Sequence, residues 1–330
     1  MISRRALIAV GTGVAGLLAG GRSSLAKSAA RYSVVSTWDF GAAANNAAFA
    51  RLSGGGSLLD AVEQGARVPE ADPKNHSVGM AGYPDRDGHV TLDAIIMDDL
   101  GHVGAVAALE NVVHAVSVAR KVMEETPHTL LVGEGATQFA LQHGFTREHL
   151  LTPESEAAWR EWAKQSHYEP QANIENRAPT PQPGSVSNHD TLGILARNPA
   201  GQLAGACTTS GMAFKLRGRV GDSPQCGAGL FVEAGVGAAT SSGVGEEVTR
   251  IAGSARVVAS MRAGMSPQAA CEEAIRHLTR LRGSATRGEQ VGFLALSAAG
   301  EVGAFALLPG FTFAVTDGLG QTRVMPSAHV

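Results

Sequence analysis

Two strand hairpins bracket the second half of this chain and restrict its architecture more than any other feature. The first pairs Leu192-Gly193-Ile194-Leu195-Ala196 with Leu203-Ala204-Gly205-Ala206-Cys207 around the turn Asn198-Pro199-Ala200-Gly201. The second pairs Val291 to Leu296 with Val302 to Leu307 around Ala298-Ala299-Gly300. Each is an apolar run, a short turn-forming cluster and a second apolar run, the pattern of a tight reversal. Between them, Glu247 to Arg262 and Ser266 to Leu281 read as helices, the latter with Ser266 as N-cap and Pro267 in the first helical position. Hairpins separated by helices suggest helices stacked outside layered sheets. Antiparallel sheets packed face to face would bury strands this rich in Gly, Ala and Val. Forty-one glycines with 17% charged residues fit that tight packing and argue against a coiled or disordered chain.

The first half is consistent with the same plan. Tyr32 to Trp38 is a β-branched strand, Ser57 caps a helix to about Val68, and Gly88 to Met97 is a buried strand. Apolar spacing predicts helices over Asn111 to Met123 and Glu134 to Gln142. From Thr152 to Asn188 the texture becomes polar, with Pro153, Pro170, Pro179, Pro181 and Pro183. Residues 152–188 are therefore expected to form a mobile loop.

Several functions are excluded early. A net charge of −3 without a basic stripe argues against nucleic acid as a partner. Gly11-Thr12-Gly13-Val14-Ala15-Gly16 matches a dinucleotide-binding pattern, but it lies inside a signal-type apolar run rather than between a strand and a helix. Arg4-Arg5 before that run marks residues 1–30 as a twin-arginine-like signal peptide, which predicts a periplasmic or secreted protein with no stable membrane span after processing. The histidines show no ligand spacing, so neither metal nor cofactor is expected. Cys207, Cys226 and Cys271 are odd in number and read as small buried thiols, although an oxidising compartment permits one disulfide.

The chemistry centres on Asn188-His189-Asp190-Thr191-Leu192-Gly193, where Thr191 opens the first hairpin. A threonine hydroxyl becomes a nucleophile when its own α-amine serves as the base, which requires the chain to be cut before it. Asp190-Thr191 is thus a candidate self-cleavage point. The freed amine, with an ordinary pKa of about 7.7–8.0, would act as a base near neutrality. Thr208-Thr209-Ser210-Gly211 ends the hairpin's second strand, where a hydroxyl can sit beside Thr191. Downstream, Arg219-Val220-Gly221-Asp222 offers a guanidinium for a carboxylate and a carboxylate for an ammonium, the two groups of a free amino-acid head. Ser241-Ser242-Gly243-Val244-Gly245 reads as a glycine-rich turn able to supply oxyanion donors.

These motifs resemble the glycosylasparaginase (aspartylglucosaminidase) family of N-terminal-nucleophile hydrolases. The likeness runs through His189-Asp190-Thr191-x-Gly193, Thr209-Ser210-Gly211, Gly218 to Pro224 and Gly227-Ala228-Gly229. In the first half it includes Ser36-Thr37-Trp38-x-Phe40, Thr91 to Asp98, Ala119 to Val122 and Thr129 to Glu134. The resemblance implies an α+β fold, a four-layer αββα sandwich. It assigns Thr191 as nucleophile, Asp190 as an aid to scission and Thr209 as support. Arg219 and Asp222 would hold the α-carboxylate and α-amine of an asparagine, with Ser242 and Gly243 as oxyanion hole. Trp38, Val220, Gly221, Val244 and Gly245 would line the substrate site. Ser242 stands where threonine is usual, and Asp99 where glycine is expected.

The implied reaction is hydrolysis of the β-amide of a small-molecule (glycosyl)asparagine to aspartate and a glycosylamine or ammonia. The implied organisation is one catalytic domain, with 31–190 as α subunit and 191–330 as β subunit, self-associating as a dimer of cleaved αβ units. The rival within this chemistry is an isoaspartyl aminopeptidase or plant-type asparaginase. A rival of another class is an uncleaved exported amino-acid-binding protein.

Overall fold

The computed structural model describes residues 32–165 and 191–330. The expected signal peptide, Asp190 and most of the expected loop lie outside them. The first described stretch runs β1 (Ser33–Thr37), α1 (Gly41–Ser53), α2 (Leu58–Glu70), β2 (Leu92–Asp98), β3 (Val103–Leu109), α3 (Ala115–Glu125), β4 (Leu130–Val132), α4 (Gly133–Gln142) and α5 (Pro153–Gln165). The second runs β5 (Leu192–Arg197), β6 (Leu203–Thr209), β7 (Leu230–Glu233), β8 (Gly237–Gly243), α6 (Gly245–Ile251), α7 (Gly253–Arg262) and α8 (Pro267–Arg282). It closes with β9 (Val291–Ser297), β10 (Val302–Ala306), β11 (Thr312–Thr316), β12 (Thr322–Pro326) and β13 (Ala328–His329).

The strands form an eight-stranded sheet, β12-β11-β1-β5-β6-β2-β3-β4, and a five-stranded sheet, β13-β10-β9-β8-β7. Both hairpins form with the expected partners, β5 on β6 and β9 on β10. Successive strand residues face opposite ways, so each strand divides its side chains between two cores. Leu192, Ile194 and Ala196 of β5, with Ala204 and Ala206 of β6, pack against α1, α2 and α3 through Ala44, Ala61, Val62 and Val116. Leu195, Leu203 and Cys207 face the other way and meet Leu230, Ala238, Leu294 and Leu296 of the smaller sheet. That sheet's outer face takes Val257, Val258, Ala270, Cys271 and Ile275 of α7 and α8. Helices, sheet, sheet, helices: the α+β four-layer sandwich is the observed architecture.

Some elements depart from the sequence reading. Residues 153–165 form a helix rather than the start of a loop. Its tryptophans anchor it: Trp159 Nε1 donates to the Arg86 carbonyl at 3.0 Å, and the Trp162 ring stacks on Phe214 at 4.9 Å. The single helix expected over 247–262 is two, separated by Ala252 in a left-handed conformation (φ 48°). Gly253 allows this turn, because a Cβ there would lie 2.5 Å from the Phe293 ring. Ser57 and Asp60 form a reciprocal capping box on α2, and Ser266 caps α8 as expected. Cys226 is exposed, correcting the expectation of three buried thiols, and all three cysteines are free. Asp99 closes the β2–β3 end onto β6, accepting from the Leu203 N–H at 3.0 Å.

Gly193 marks the closest approach of the sheets near the start of β5, since a Cβ there would lie 2.1 Å from Thr240 Oγ1. Gly193→Ala must displace Thr240, whose hydroxyl donates to the Gly229 carbonyl at 2.9 Å. Overpacking of this kind costs about 1–3 kcal/mol, so chemical denaturation should give an unfolding free energy lower by that amount.

Candidate active site

The site assembles where several strands end on the inter-sheet face. The β5–β6 register pairs Leu192 with Thr208 and Gly193 with Cys207. Continued one residue, it places Thr191 opposite Thr209. On the other side of β6, Thr209 pairs with Asp93 of β2. Thr191, Thr209 and Asp93 therefore form a row across three adjacent strands, which are spaced by about 4.8 Å. All three are buried. Thr208 points the opposite way and donates to the buried Glu70 carboxylate at 2.7 Å. The Thr208 hydroxyl is thus structural, and of the pair only Thr209 faces the site.

Two residues of β1 and the turn after it hold the row in place. Thr37 Oγ1 donates to the Thr191 carbonyl at 2.7 Å and accepts from the Gly193 N–H at 2.9 Å. One hydroxyl thereby clamps the backbone on both sides of Leu192. The next residue, Trp38, has a left-handed backbone (φ 65°), which is strained for a bulky side chain. That conformation lets its indole Nε1 donate to Ser242 Oγ at 2.8 Å, while its ring meets Phe311 edge-on at 4.9 Å. Thr209 Oγ1 donates to the Ser77 carbonyl and accepts from the Gly211 N–H at 2.9 Å.

Ser241, Ser242 and Gly243 are not a turn. They are the last residues of β8, and Val244 and Gly245 lead directly into α6. The correction matters because a strand end fixes direction. Ser242 shares the inter-sheet face with Ala238 and Thr240, whereas Ser241 faces outward and donates to Asp222 Oδ2 at 2.6 Å. Gly243 has a φ of 110°, and a Cβ would strike the Gln290 carbonyl at 2.2 Å. Gly245 is equally constrained, with Asp222 Oδ1 at 2.5 Å from its missing Cβ. Val220 and Gly221 bring Arg219 and Asp222 together in one loop.

Burial lifts the Asp222 carboxyl above the usual range, opposed by the Ser241 hydrogen bond and the Arg219 charge. Arg219 stays protonated: burial works against it, but Glu246 pairs with it. Trp38 is thus bonded to Ser242, and Asp222 to the neighbouring Ser241, while Thr37, next to Trp38 in the chain, holds Thr191 opposite Thr209. Among the described residues no group of three acidic, histidine or cysteine side chains could hold a metal ion.

Two charged residues of this region were not singled out in the sequence. Lys215 is buried, and its Nζ donates to the Ser210 carbonyl at 2.7 Å and the Thr91 carbonyl at 3.3 Å. Burial pushes its pKa down to about 8, against the pull of Asp93. Asp93 accepts from the Ala108 N–H at 2.8 Å and is approached by the Gly221 N–H. Burial raises its pKa while Lys215 and Arg219 oppose the rise. Asp93 thus ties the row of Thr191 and Thr209 to the Arg219–Asp222 loop. Only the matching of Asp93 with a lysine far along the chain would have flagged it.

Comparison with known proteins adds the decisive fact. A family model described as "Asparaginase" matches residues 14–325. The chain belongs to that asparaginase family. It is 52% identical over 296 residues to the N(4)-(beta-N-acetylglucosaminyl)-L-asparaginase of Elizabethkingia miricola, covering 89% of this chain and 84% of that one. It is 38% identical over 266 residues to the rat protein of the same name, covering 75% and 77%. A Drosophila melanogaster protein with the putative form of that name is 37% identical over 275 residues, covering 75% and 70%. The glycosylasparaginase resemblance read from the motifs is borne out.

Lys215→Met should expose how this family member stabilises the row. It leaves the Asp93 carboxyl buried with one fewer cation, a change that typically costs about 3 kcal/mol. Denaturation should show that loss, and Lys215→Met combined with Asp93→Asn should lose less than the sum of the two singles.

Proposed function

We propose that the chain is an autoproteolytically activated threonine amidohydrolase that cleaves the β-amide of asparagine or glycosylasparagine. The products are aspartate and a glycosylamine or ammonia. The observation that carries this reading is the burial of Thr191 at the head of β5, between Thr37 and Thr209, in a site that also holds Arg219 and Asp222. The relatives' names supply the glycosylated amide.

Chain scission before Thr191, aided by Asp190, frees the α-amine. That amine accepts the proton of Thr191 Oγ1 as the oxygen attacks the β-carbonyl carbon. Arg219 holds the substrate's α-carboxylate and Asp222 its ammonium, which fixes the reacting amide against Thr191. Charge then develops on the carbonyl oxygen. Ser242 suits its stabilisation for a specific reason. A hydroxyl has one proton to give, and because Ser242 Oγ accepts from Trp38, that proton remains available for an oxyanion. Gly243 completes the oxyanion hole. Collapse expels the amine, leaving a β-aspartyl ester on Thr191, and water hydrolyses the ester to aspartate. Val220, Gly221, Val244 and Gly245 contribute backbone around the substrate head. Residues 1–30 direct export to the periplasm or beyond, and two cleaved αβ units associate as a heterotetramer. Among the described residues no helix is long and apolar enough to cross a membrane.

The reading is tested by comparing hydrolysis of N-acetylglucosaminyl-asparagine, free asparagine and β-aspartyl dipeptides. The first two should be the better substrates, and a preference for the dipeptides would support the isoaspartyl aminopeptidase alternative instead. Ser242→Ala should lower kcat about 100-fold with chain cleavage assayed separately, as for loss of one oxyanion donor. Asp222 must be ionised to hold an ammonium, so aspartate inhibition should weaken as pH falls through the Asp222 pKa. Ser241→Ala removes a hydrogen bond that favours the ionised form. The acid limb of that inhibition should therefore move to higher pH, whereas an unmoved limb would detach Asp222 from ammonium binding.

A further inference from the structure

Within the protein, Arg219 uses one edge of its guanidinium. Glu246, in the first turn of α6, takes Nε and Nη2 with its two carboxylate oxygens, each at 2.9 Å. Among the described residues, Nη1 has no hydrogen-bond acceptor. Nη1 instead borders two glycines: a Cβ on Gly211 would lie 3.2 Å from it and one on Gly221 3.0 Å. Any side chain at either position would crowd that end of the fork. The pair is not a loose surface contact, since the Arg219 side chain is only 15% exposed. Burial disfavours the charge on Glu246, but its hydrogen bonds to Arg219 and the guanidinium charge outweigh this and hold its carboxyl below the ordinary range. Glu246 follows directly on Gly245, which touches Asp222, and on the strand end that carries Ser242.

We propose that Glu246 is a positioning residue for substrate recognition: by gripping the Nε–Nη2 edge it turns the Nη1 end of Arg219 into the gap between Gly211 and Gly221 and reserves it for the substrate's α-carboxylate. The inference rests on the asparagine-amide reading above. A planar guanidinium held at two donors cannot swing, so the remaining donor is pre-oriented and little further ordering is needed when a carboxylate arrives. Selectivity for a free α-carboxylate then depends on a residue that does not itself touch the substrate. The opposite arrangement, in which Glu246 occupies the carboxylate's own place and is displaced by it, predicts effects of opposite sign.

The test uses the full-length, self-cleaved enzyme and its Glu246→Gln and Glu246→Asp variants. Competitive inhibition by aspartate is compared with that by its α-carboxamide analogue, alongside KM and kcat for asparagine. For Glu246→Gln we expect aspartate to bind roughly tenfold more weakly, the size of one charge-assisted hydrogen bond. The carboxamide analogue should be unaffected, KM for asparagine should rise with kcat nearly unchanged, and Glu246→Asp should retain part of the selectivity. Unchanged or tighter aspartate binding in Glu246→Gln, or equal loss for both inhibitors, overturns the proposal while leaving an active wild type and the parent reading intact. A self-cleaved wild type that hydrolyses no asparagine amide overturns both.

Discussion

The Thr37 hydroxyl, bonded at once to the Thr191 carbonyl and the Gly193 N–H, is the contact on which the site depends. A strand terminus ordinarily frays, because its first residues lack a full set of partners. Here the first turn of backbone after Thr191 is clamped from β1 on one side and paired with β6 on the other. Gly193 then lets the second sheet close down onto it, with Thr240 where a side chain would otherwise be. The nucleophile proposed at Thr191 would need that restraint, since an oriented hydroxyl and amine are useful only if the backbone bearing them is immobile.

Charge is arranged around this anchor in layers. At the end of the strand row, Asp93 is buried, as is Lys215, and the two tie β2, the 210–215 segment and the Gly221 N–H to one another. Beyond them, Arg219 stands among three carboxyls, each differently held. Asp93 acts on its charge, Asp222 does so too and is hydrogen-bonded to Ser241, and Glu246 pairs with it directly. A zwitterionic head group adds one charge of each sign to such a site and so leaves its balance unchanged. That property suits an amino-acid substrate better than a simple anion or cation.

Much of the fold could be read from local pattern, and the reasons for the exceptions are physical. The hairpins and the caps at Ser57 and Ser266 depend on neighbouring residues, and the structure has them where expected. Helix α5 was hidden because its proline and charges look like a loop, and its stability comes from Trp159 and Trp162 docking on Arg86 and Phe214, far away in the chain. The break at Ala252 exists because Gly253 must sit on Phe293. Ser241 to Gly243 resembled a turn because small residues suit turns, yet here they permit close packing at a strand end. Motif likeness pointed to Thr191, Thr209, Arg219, Asp222 and Ser242. Asp93, Lys215 and Glu246 act through partners brought near only by folding, and no spacing in the sequence announces them.

The central claim is that Thr191 becomes a chain end and then the nucleophile. Intact-mass analysis of the purified protein, before and after brief incubation with substrate and acid quenching, tests it most directly. The account predicts two fragments, one spanning 191–330, with a β-aspartyl adduct on that fragment after quenching. An uncleaved chain after prolonged incubation, a fragment beginning elsewhere, or an adduct on a residue other than Thr191 would contradict it.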